Sequence, residues 1–200
     1  MAKIKLTKNE LKAQRDDLKR YVRYLPTLEL KKRQLIQEIR KIEQALAEVQ
    51  QREEAAVAAI SPWLKLLAEP VGLEEIVRLR EIETRPGNIA GVSIPLFVAA
   101  HLDTRPYDLF ATPLWVDRAA ENIAAIASLR AEREILCRQQ ELLQKELRTT
   151  IQRVNLFEKI KIPQCRENIR QIQIFLGDQQ TNAVVRGKIA KSKLLEAETA

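Results

Sequence analysis

The fold is decided by residues 28–49, LELKKRQLIQEIRKIEQALAEV, in which apolar side chains recur at alternating spacings of four and three. Such a sustained 3.5-residue period is typical of a coiled-coil seam, because it keeps one narrow apolar stripe on the same side of a helix. The seam positions here are Leu28, Lys32, Leu35, Ile39, Ile42, Leu46 and Val49. The stretch therefore predicts a long helix that packs lengthwise against another.

The same register extends in both directions from this stretch. Between residues 11 and 60, twelve of fifteen seam positions are apolar, and the additional positions are Leu11, Gln14, Leu18, Tyr21, Leu25, Glu53, Ala56 and Ile60. Upstream, Thr7 and Glu10 have the spacing of a capping box, which starts a helix by satisfying free backbone N–H groups. Pro26 falls within the register and predicts a kink rather than an end. We expect residues 1–60 to form an N-terminal coiled-coil helix.

The period changes after Ile60, which predicts an insert over residues 61–111. Its first residues, Ser-Pro, suit the start of a short helix at 62–68. The end of the insert, residues 98–111, shows no clear period, and we expect it to be irregular.

A β-hairpin is expected in the middle of the insert. Residues 77–83 and 89–97 are strand-like, and residues 85–88, Arg-Pro-Gly-Asn, carry a turn signal between them. The residues that define this hairpin are Gly87, Asn88, Gly91 and Pro95. We expect the hairpin to lie off the helical seam.

Residues 112–200 predict a second long helix, which Thr-Pro at its start would cap. Its seam is noisier and is represented by Leu136, Leu143, Leu147 and Val154. Pro163 predicts another kink, and Gly177 and Gly187 are expected to weaken the end of the helix. Two seams joined by an insert favour a mainly α fold. We expect the N- and C-terminal helices to form a long antiparallel two-helix coiled coil, with the small hairpin-containing insert at the turn end.

The net charge of +7 is concentrated near the two chain ends. Residues 1–41 contain thirteen Lys/Arg against five Asp/Glu, and residues 148–200 contain ten against five. Antiparallel pairing would bring both ends together as a basic collar for partners, comprising Lys8, Lys12, Arg15, Lys19, Arg186, Lys188 and Lys191. Such charge would also attract nucleic acid. However, aromatic side chains do not alternate with it and no groove-reading motif is present, so a protein partner is favoured.

No catalytic, cofactor or metal site is predicted. The nearest approach to a phosphate-binding loop, residues 186–188, lacks the upstream glycine. His101 is the only histidine, which excludes a histidine-based metal cluster. Cys137 and Cys165 are expected to be reduced thiols. No apolar run reaches the ~18–20 residues of a membrane span and no secretory signal follows Met1. These features favour a cytoplasmic protein without direct membrane insertion.

Three blocks of the sequence together frame nearly the whole chain and carry a family resemblance. The first comprises residues 5–11, KLTKNEL, and 30–35, LKKRQL, and the second is residues 88–95, NIAGVSIP. The third is residues 153–159, RVNLFEK, followed by Ile-Pro at 162–163. The three blocks resemble the D-subunit family of V/A-type ATPases. The third is similar to the most specific motif of that family, and the matching residues are Arg153, Val154, Asn155, Glu158 and Pro163.

The resemblance implies a non-catalytic central rotor shaft that needs no cofactor. Family members stand inside a head of A and B subunits, with a small F subunit in the stalk and a membrane-adapter C or d subunit on the membrane side. The shaft couples ATP hydrolysis or synthesis to the translocation of protons or sodium ions, at the cytoplasmic face of a membrane. Residues 177–182 depart from the acidic cluster usual in the family, so contacts made there by relatives are not carried over.

A non-motor coiled-coil scaffold or tether is the alternative interpretation. A scaffold of this shape would self-associate or bind many targets, whereas a shaft is present as a single copy and binds a ring. The identity of the partners therefore discriminates between the two.

Overall fold

The computed structural model describes residues 4–68, 76–105, 107 and 112–198. Helix α1 spans Lys8–Ile60 and leads into a 3₁₀ helix at Ser61–Ala68. Strands β1 and β2 span Val77–Ile89 and Val92–Thr104. Helix α2 spans Trp115–Asn155, a π-helix spans Leu156–Lys161, and helix α3 spans Ile162–Glu198. The predicted mainly α fold, with long helices towards both ends and an antiparallel hairpin between them, is confirmed.

The chain divides into two compact units. The first unit combines Met1–Leu30 with Thr150–Ala200, and the second is Lys31–Thr149. Each unit therefore contains its own stretch of paired helix, and the hairpin belongs to the second.

In the second unit, α1 and α2 pack antiparallel. The Nζ of Lys31 donates to Oε1 of Glu146 at 2.6 Å. Farther along α1, Nη2 of Arg52 donates to Oε2 of Glu132 at 3.2 Å. Residues farther along α1 contact residues that come earlier in α2, so the two helices run antiparallel. The buried helical side chains at the centre of this pair are Leu35, Ile39, Ile42 and Leu143.

The tip of the hairpin packs into this core, so the prediction that the hairpin lies off the helical seam is wrong. Ile94 of β2 is only 2% exposed and joins the cluster of Leu35, Ile39, Ile42 and Leu143. Its neighbours in the hairpin pack against the same cluster; they are Ile89, Ala90, Val92 and Leu96. The physical reason is that two helices alone enclose a thin core, and a third apolar element removes more surface from water.

The hairpin turns at Ala90-Gly91 rather than at the predicted residues 85–88. Both turn residues have positive φ, 51° for Ala90 and 80° for Gly91, as a type I′ turn requires. The backbone N–H of Gly91 donates to Oδ1 of Asn88 at 3.0 Å, which fixes the turn. Because Ile94 must reach the core, packing overrides the turn signal of residues 85–88.

Both strands are longer than predicted. Strand β2 continues to Thr104, so the prediction of irregular structure is wrong for residues 98–104. Two register shifts, between Leu79 and Glu81 and between Glu83 and Thr84, keep the long strands paired by accommodating unmatched residues. Of the remaining predicted irregular stretch, residues 106 and 108–111 lie outside the described residues.

In the first unit, α1 packs antiparallel against residues 150–176. The Nδ2 of Asn168 donates to Oε1 of Gln14 at 3.2 Å. The rings of Tyr21 and Phe157 lie with their centroids 4.9 Å apart. The buried side chains contributed by this part of the chain are Thr150, Val154, Ile162, Cys165, Asn168 and Ile172.

Immediately before Pro163, where the sequence predicts a kink, the helix widens into a π-helix. The N–H of Ile162 donates to the carbonyl of Phe157, five residues earlier. An α-helix would rotate residues five apart onto different faces, whereas the i→i+5 bonding of a π turn keeps Phe157 and Ile162 on the packed side. Ile160 lies three residues after Phe157 but is 53% exposed, so the packed spacing of five is evident from the structure and not from the sequence.

Helix α3 continues through both glycines that were expected to weaken it. It passes Gly177 and Gly187 and extends to Glu198. A Cβ at either glycine would meet no atom within 4 Å. The cost of helical glycine is therefore not offset by close packing at these two positions.

Candidate partner-binding surfaces

The end of α3 has no helix to pair with among the described residues. The Gln14–Asn168 contact fixes the antiparallel register, and α1 begins at Lys8. Every side chain from residue 177 to residue 193 is exposed. We call residues 177–198 the overhang. Since an isolated helix of this length is only marginally stable in water, the overhang is suited to bind a partner.

The overhang combines basic and apolar side chains. Its exposed basic residues are Arg186, Lys188, Lys191 and Lys193, and Asp178 is the only acid between residues 177 and 193. Three exposed β-branched side chains lie among them: Val184, Val185 and Ile189. An acidic surface with apolar patches would complement this helix in both charge and shape.

The predicted basic residues of α1 are also exposed. Lys8, Lys12, Arg15 and Lys19 follow one another at helical spacings of three and four. In the part of the chain that the structure describes, none of the four forms an ion pair. They do not lie beside the overhang charges, however. The Gln14–Asn168 register places Lys8 opposite about residue 174, so Arg186 lies about 18 Å farther along α3.

The motif that resembles the D-subunit family surrounds the π-helix. Val154 is buried and packs inside the first unit, whereas Arg153, Asn155, Glu158 and Pro163 are exposed. Asn155 is the last residue of α2, immediately before the π-helix, and its side chain makes no cap hydrogen bond. Within the described residues, Arg153 and Glu158 form no ion pair. Among the residues that the structure describes, the side chains of Arg153, Asn155 and Glu158 are therefore exposed and accessible to a partner.

The predicted seam residues occupy the packed side of the helices to different degrees. Leu35, Ile39, Ile42, Val49, Leu143 and Val154 are buried, whereas Leu18, Leu25, Leu28, Leu46, Leu136 and Leu147 are half-buried. The fully buried positions of α1 all lie in the second unit, from Leu35 onward. The first unit is accordingly held by fewer enclosed side chains.

The hairpin residues have structural roles at the tip. Gly87 lies opposite Ile94, and a Cβ at Gly87 would come within 2.8 Å of the Leu96 side chain. Pro95 lies opposite Pro86. This is a non-hydrogen-bonded pair of the antiparallel ladder, so the missing N–H groups of the two prolines interrupt no hydrogen bond between the strands. The outward carbonyl of Pro95 accepts a hydrogen bond from Nε2 of Gln139 at 2.6 Å. The hairpin is thus joined to α2.

A charged cluster between the helices was missed by the sequence analysis. Glu53 is 7% exposed, and its carboxylate accepts from Nε of Arg130 at 2.8 Å and from Nη1 of Arg133 at 2.7 Å. A buried carboxylate needs such donors because burial removes its water. The signal was present in the sequence, since Glu53 is a charged residue at a seam position.

Two titratable side chains outside these surfaces have altered acidity. Burial raises the pKa of the Cys165 thiol, and the charge of Asp17 raises it further. The hydroxyl of Tyr107 donates to Oδ1 of Asp117 at 2.5 Å, and this hydrogen bond raises the pKa of Tyr107. His101 lies on the hairpin with Nε2 at 3.0 Å from Oε2 of Glu83, and both side chains are exposed.

The described residues contain no candidate metal site and no candidate membrane span. No group of three or more His, Cys, Asp or Glu side chains in residues 4–68, 76–105, 107 and 112–198 is placed to hold a metal ion. Over the same residues, no helix is both long and apolar enough to span a membrane.

Comparison with known proteins identifies the family of the chain. The family model described as the D subunit of ATP synthase matches residues 10–192. The D subunit of the V-type ATP synthase of Borreliella burgdorferi is 47% identical over 196 residues, which covers 98% of this chain and 97% of the relative. The corresponding D subunits of Chlamydia muridarum and Chlamydia caviae are 34% and 33% identical, each over 96% of this chain and over 97% and 94% of the relatives. This chain therefore belongs to the D-subunit family of ATP synthases.

Proposed function

We propose that this chain is the central shaft of a V-type rotary ATPase or ATP synthase. The observation that carries the proposal is the near full-length match to proteins named as the D subunit of V-type ATP synthase, at 47% identity over 98% of the chain. In this role the chain couples ATP hydrolysis or synthesis in the head to translocation of protons or sodium ions through the membrane sector. It performs no chemical step and needs no cofactor.

The proposed partners are the A and B subunits of the head, the small F subunit of the stalk and the membrane-adapter C or d subunit. Nucleic acid is not among them, and the chain would reside at the cytoplasmic face of a membrane through the assembled complex rather than by insertion. The paired helices of the second unit support this role, because the buried side chains of Leu35, Ile42 and Leu143 pack between them and oppose the sliding of one helix past the other.

The basic residues of the first unit are proposed to contact the head. They comprise Lys8, Lys12, Arg15, Lys19, Arg186, Lys188 and Lys191. Their exposure and the unpaired state of the overhang support this assignment. Isolated surface charges add only about 0–1 kcal/mol each to stability, so attraction to an acidic partner explains their concentration better.

The experiment that tests the proposal is single-molecule rotation in the reconstituted complex. The head is fixed to a surface, and a bead is attached at Arg85, an exposed residue of β1. We expect ATP to drive rotation of the bead in one direction, and we expect the isolated chain to hydrolyse no ATP. A matched preparation with a non-hydrolysable nucleotide should show no rotation. Stationary beads in a fully ATP-active complex would refute the shaft assignment.

A scaffold or tether remains the competing function, and stoichiometry separates the two. Native mass spectrometry of the complex should show one copy of this chain for each head. Several copies per complex, or a stable homo-oligomer that binds unrelated targets, would favour the scaffold.

A further inference from the structure

The backbone hydrogen bonding of helix α1 is interrupted around Pro26. Pro26 lies inside the helix and has no N–H, so the carbonyl of Val22 loses its helical donor. One residue later, the hydroxyl of Thr27 donates to the carbonyl of Tyr24 at 2.8 Å. Hydroxyl bonding to a carbonyl of the preceding turn competes with the backbone hydrogen bonds of a helix. Residues 22–27 are therefore the segment of α1 whose backbone is least firmly bonded.

The opposing helix is irregular over the adjoining stretch of the pair. Residues 156–161 form the π-helix, and Pro163 follows it without an N–H to donate. The rings of Tyr21 and Phe157 have their centroids 4.9 Å apart. In the antiparallel pair the π-helix therefore faces the turn of α1 just before residues 22–27, and residues 22–27 face the end of α2. The irregular backbone of the two helices thus forms one continuous stretch of the pair, in which the two segments meet near Val22 and Leu156.

Side-chain packing does not compensate for this loss. No side chain of the π-helix is buried. Leu156 and Ile160 are instead 39% and 53% exposed, and no residue of α1 before Leu35 is buried. Segments with few buried contacts and poor backbone bonding are the ones that open and deform most readily.

We propose that residues 22–27 and residues 156–163 together form a hinge in the first unit. At this hinge the paired helices bend and twist more readily than above or below it. The hinge itself follows from the hydrogen bonds and packing of this chain. Its use rests on the proposed function, because in a rotating shaft the hinge is where torque would be held as elastic strain.

Hydrogen exchange of the isolated full-length chain tests the hinge directly. We expect amides of residues 156–164 to exchange at least about tenfold faster than those of residues 166–174 in the same unit. Two variants should slow this exchange. One carries Pro26→Ala and Pro163→Ala, and the other adds deletion of Lys159, which removes the extra residue of the π turn. Gly187→Ala in the overhang is the control and should leave exchange at the hinge unchanged.

Spin labels at Gln152 and Gln173, both exposed, provide a second measurement. Their distance distribution should be broad in the parent chain and narrower in either variant. If the deletion variant fails to fold, the variant with two alanines still decides the matter. Exchange at residues 156–164 as slow as at 166–174, or a distribution that the substitutions leave unchanged, would overturn the hinge. Because neither measurement involves the complex, such a failure is distinct from a failure of the rotation experiment.

Discussion

The two cysteines occupy opposite environments. Cys165 is buried in the first unit, whereas Cys137 is exposed on α2. Burial, with the added effect of Asp17, raises the pKa of Cys165, so less of this thiol is present as thiolate at a given pH. Because the thiolate is the reactive form, the two residues should differ in reactivity.

We expect iodoacetamide at pH 8 to modify Cys137 at least about tenfold faster than Cys165. Mass spectrometry of the two peptides over time measures both rates. In concentrated urea the rates should converge. Folding raises the pKa of Cys165, so the protonated thiol stabilises the folded chain. This contribution to the free energy of unfolding is lost as the pH rises through the folded-state pKa. Equal rates in the folded chain would contradict the burial of Cys165.

Within the paired helices of the second unit, the Glu53 cluster is asymmetric. The Glu53 side chain is 10% exposed, whereas Arg130 and Arg133 are 62% and 43% exposed. Loss of the Glu53 carboxylate would leave Arg130 and Arg133, whose exposed side chains can be hydrated by solvent. Loss of the arginines would leave a buried charge without donors, which is much more costly.

We therefore expect Arg130→Ala with Arg133→Ala to lower the free energy of unfolding by about 2–4 kcal/mol. Glu53→Leu, which restores an apolar seam position, should change it by less than about 1 kcal/mol. Urea unfolding measures both values. The triple variant supplies the control, because Glu53→Leu should recover most of the stability lost with the arginines. Equal losses for the single and double variants would show that the cluster is not asymmetric.

The sequence patterns predicted the helices and strands more accurately than the contacts between them. The 3.5-residue period predicted the helices, and two strand-like stretches around a turn signal predicted the hairpin. The turn was misplaced because burial of Ile94 depends on a core formed by two helices distant in sequence. Glu53 and the π-helix were missed for a related reason. A charged seam residue and a spacing of five are interpretable only when the opposite helix is known.

At the scale of the whole molecule, basic charge in the first unit should act on assembly rather than on folding. Lys8→Glu with Lys12→Glu and Arg15→Glu should slow association with the head and flatten its salt dependence, because long-range attraction is removed. Circular dichroism should show unchanged helix content. Stopped-flow association at low and high salt measures the effect.

A matched reversal at exposed positions of α2 controls for net charge. Arg138→Glu, Lys145→Glu and Arg148→Glu introduce the same change in charge outside the proposed contact surface. This variant should associate at nearly the parent rate. If both triple variants slow association equally, only total charge matters and the proposed head contacts are wrong.

The antiparallel pairing of the first unit also has a consequence for biosynthesis. Gln14 bonds Asn168, 154 residues later in the chain. At about 5–20 residues per second, a ribosome would need about 8–30 s to make the second partner after the first. During that interval the apolar side chains of α1 around Gln14 are exposed, because the helix that packs against them has not yet been synthesised. The nascent chain should therefore depend on ribosome-associated chaperones until its last quarter emerges, whatever its stability once complete.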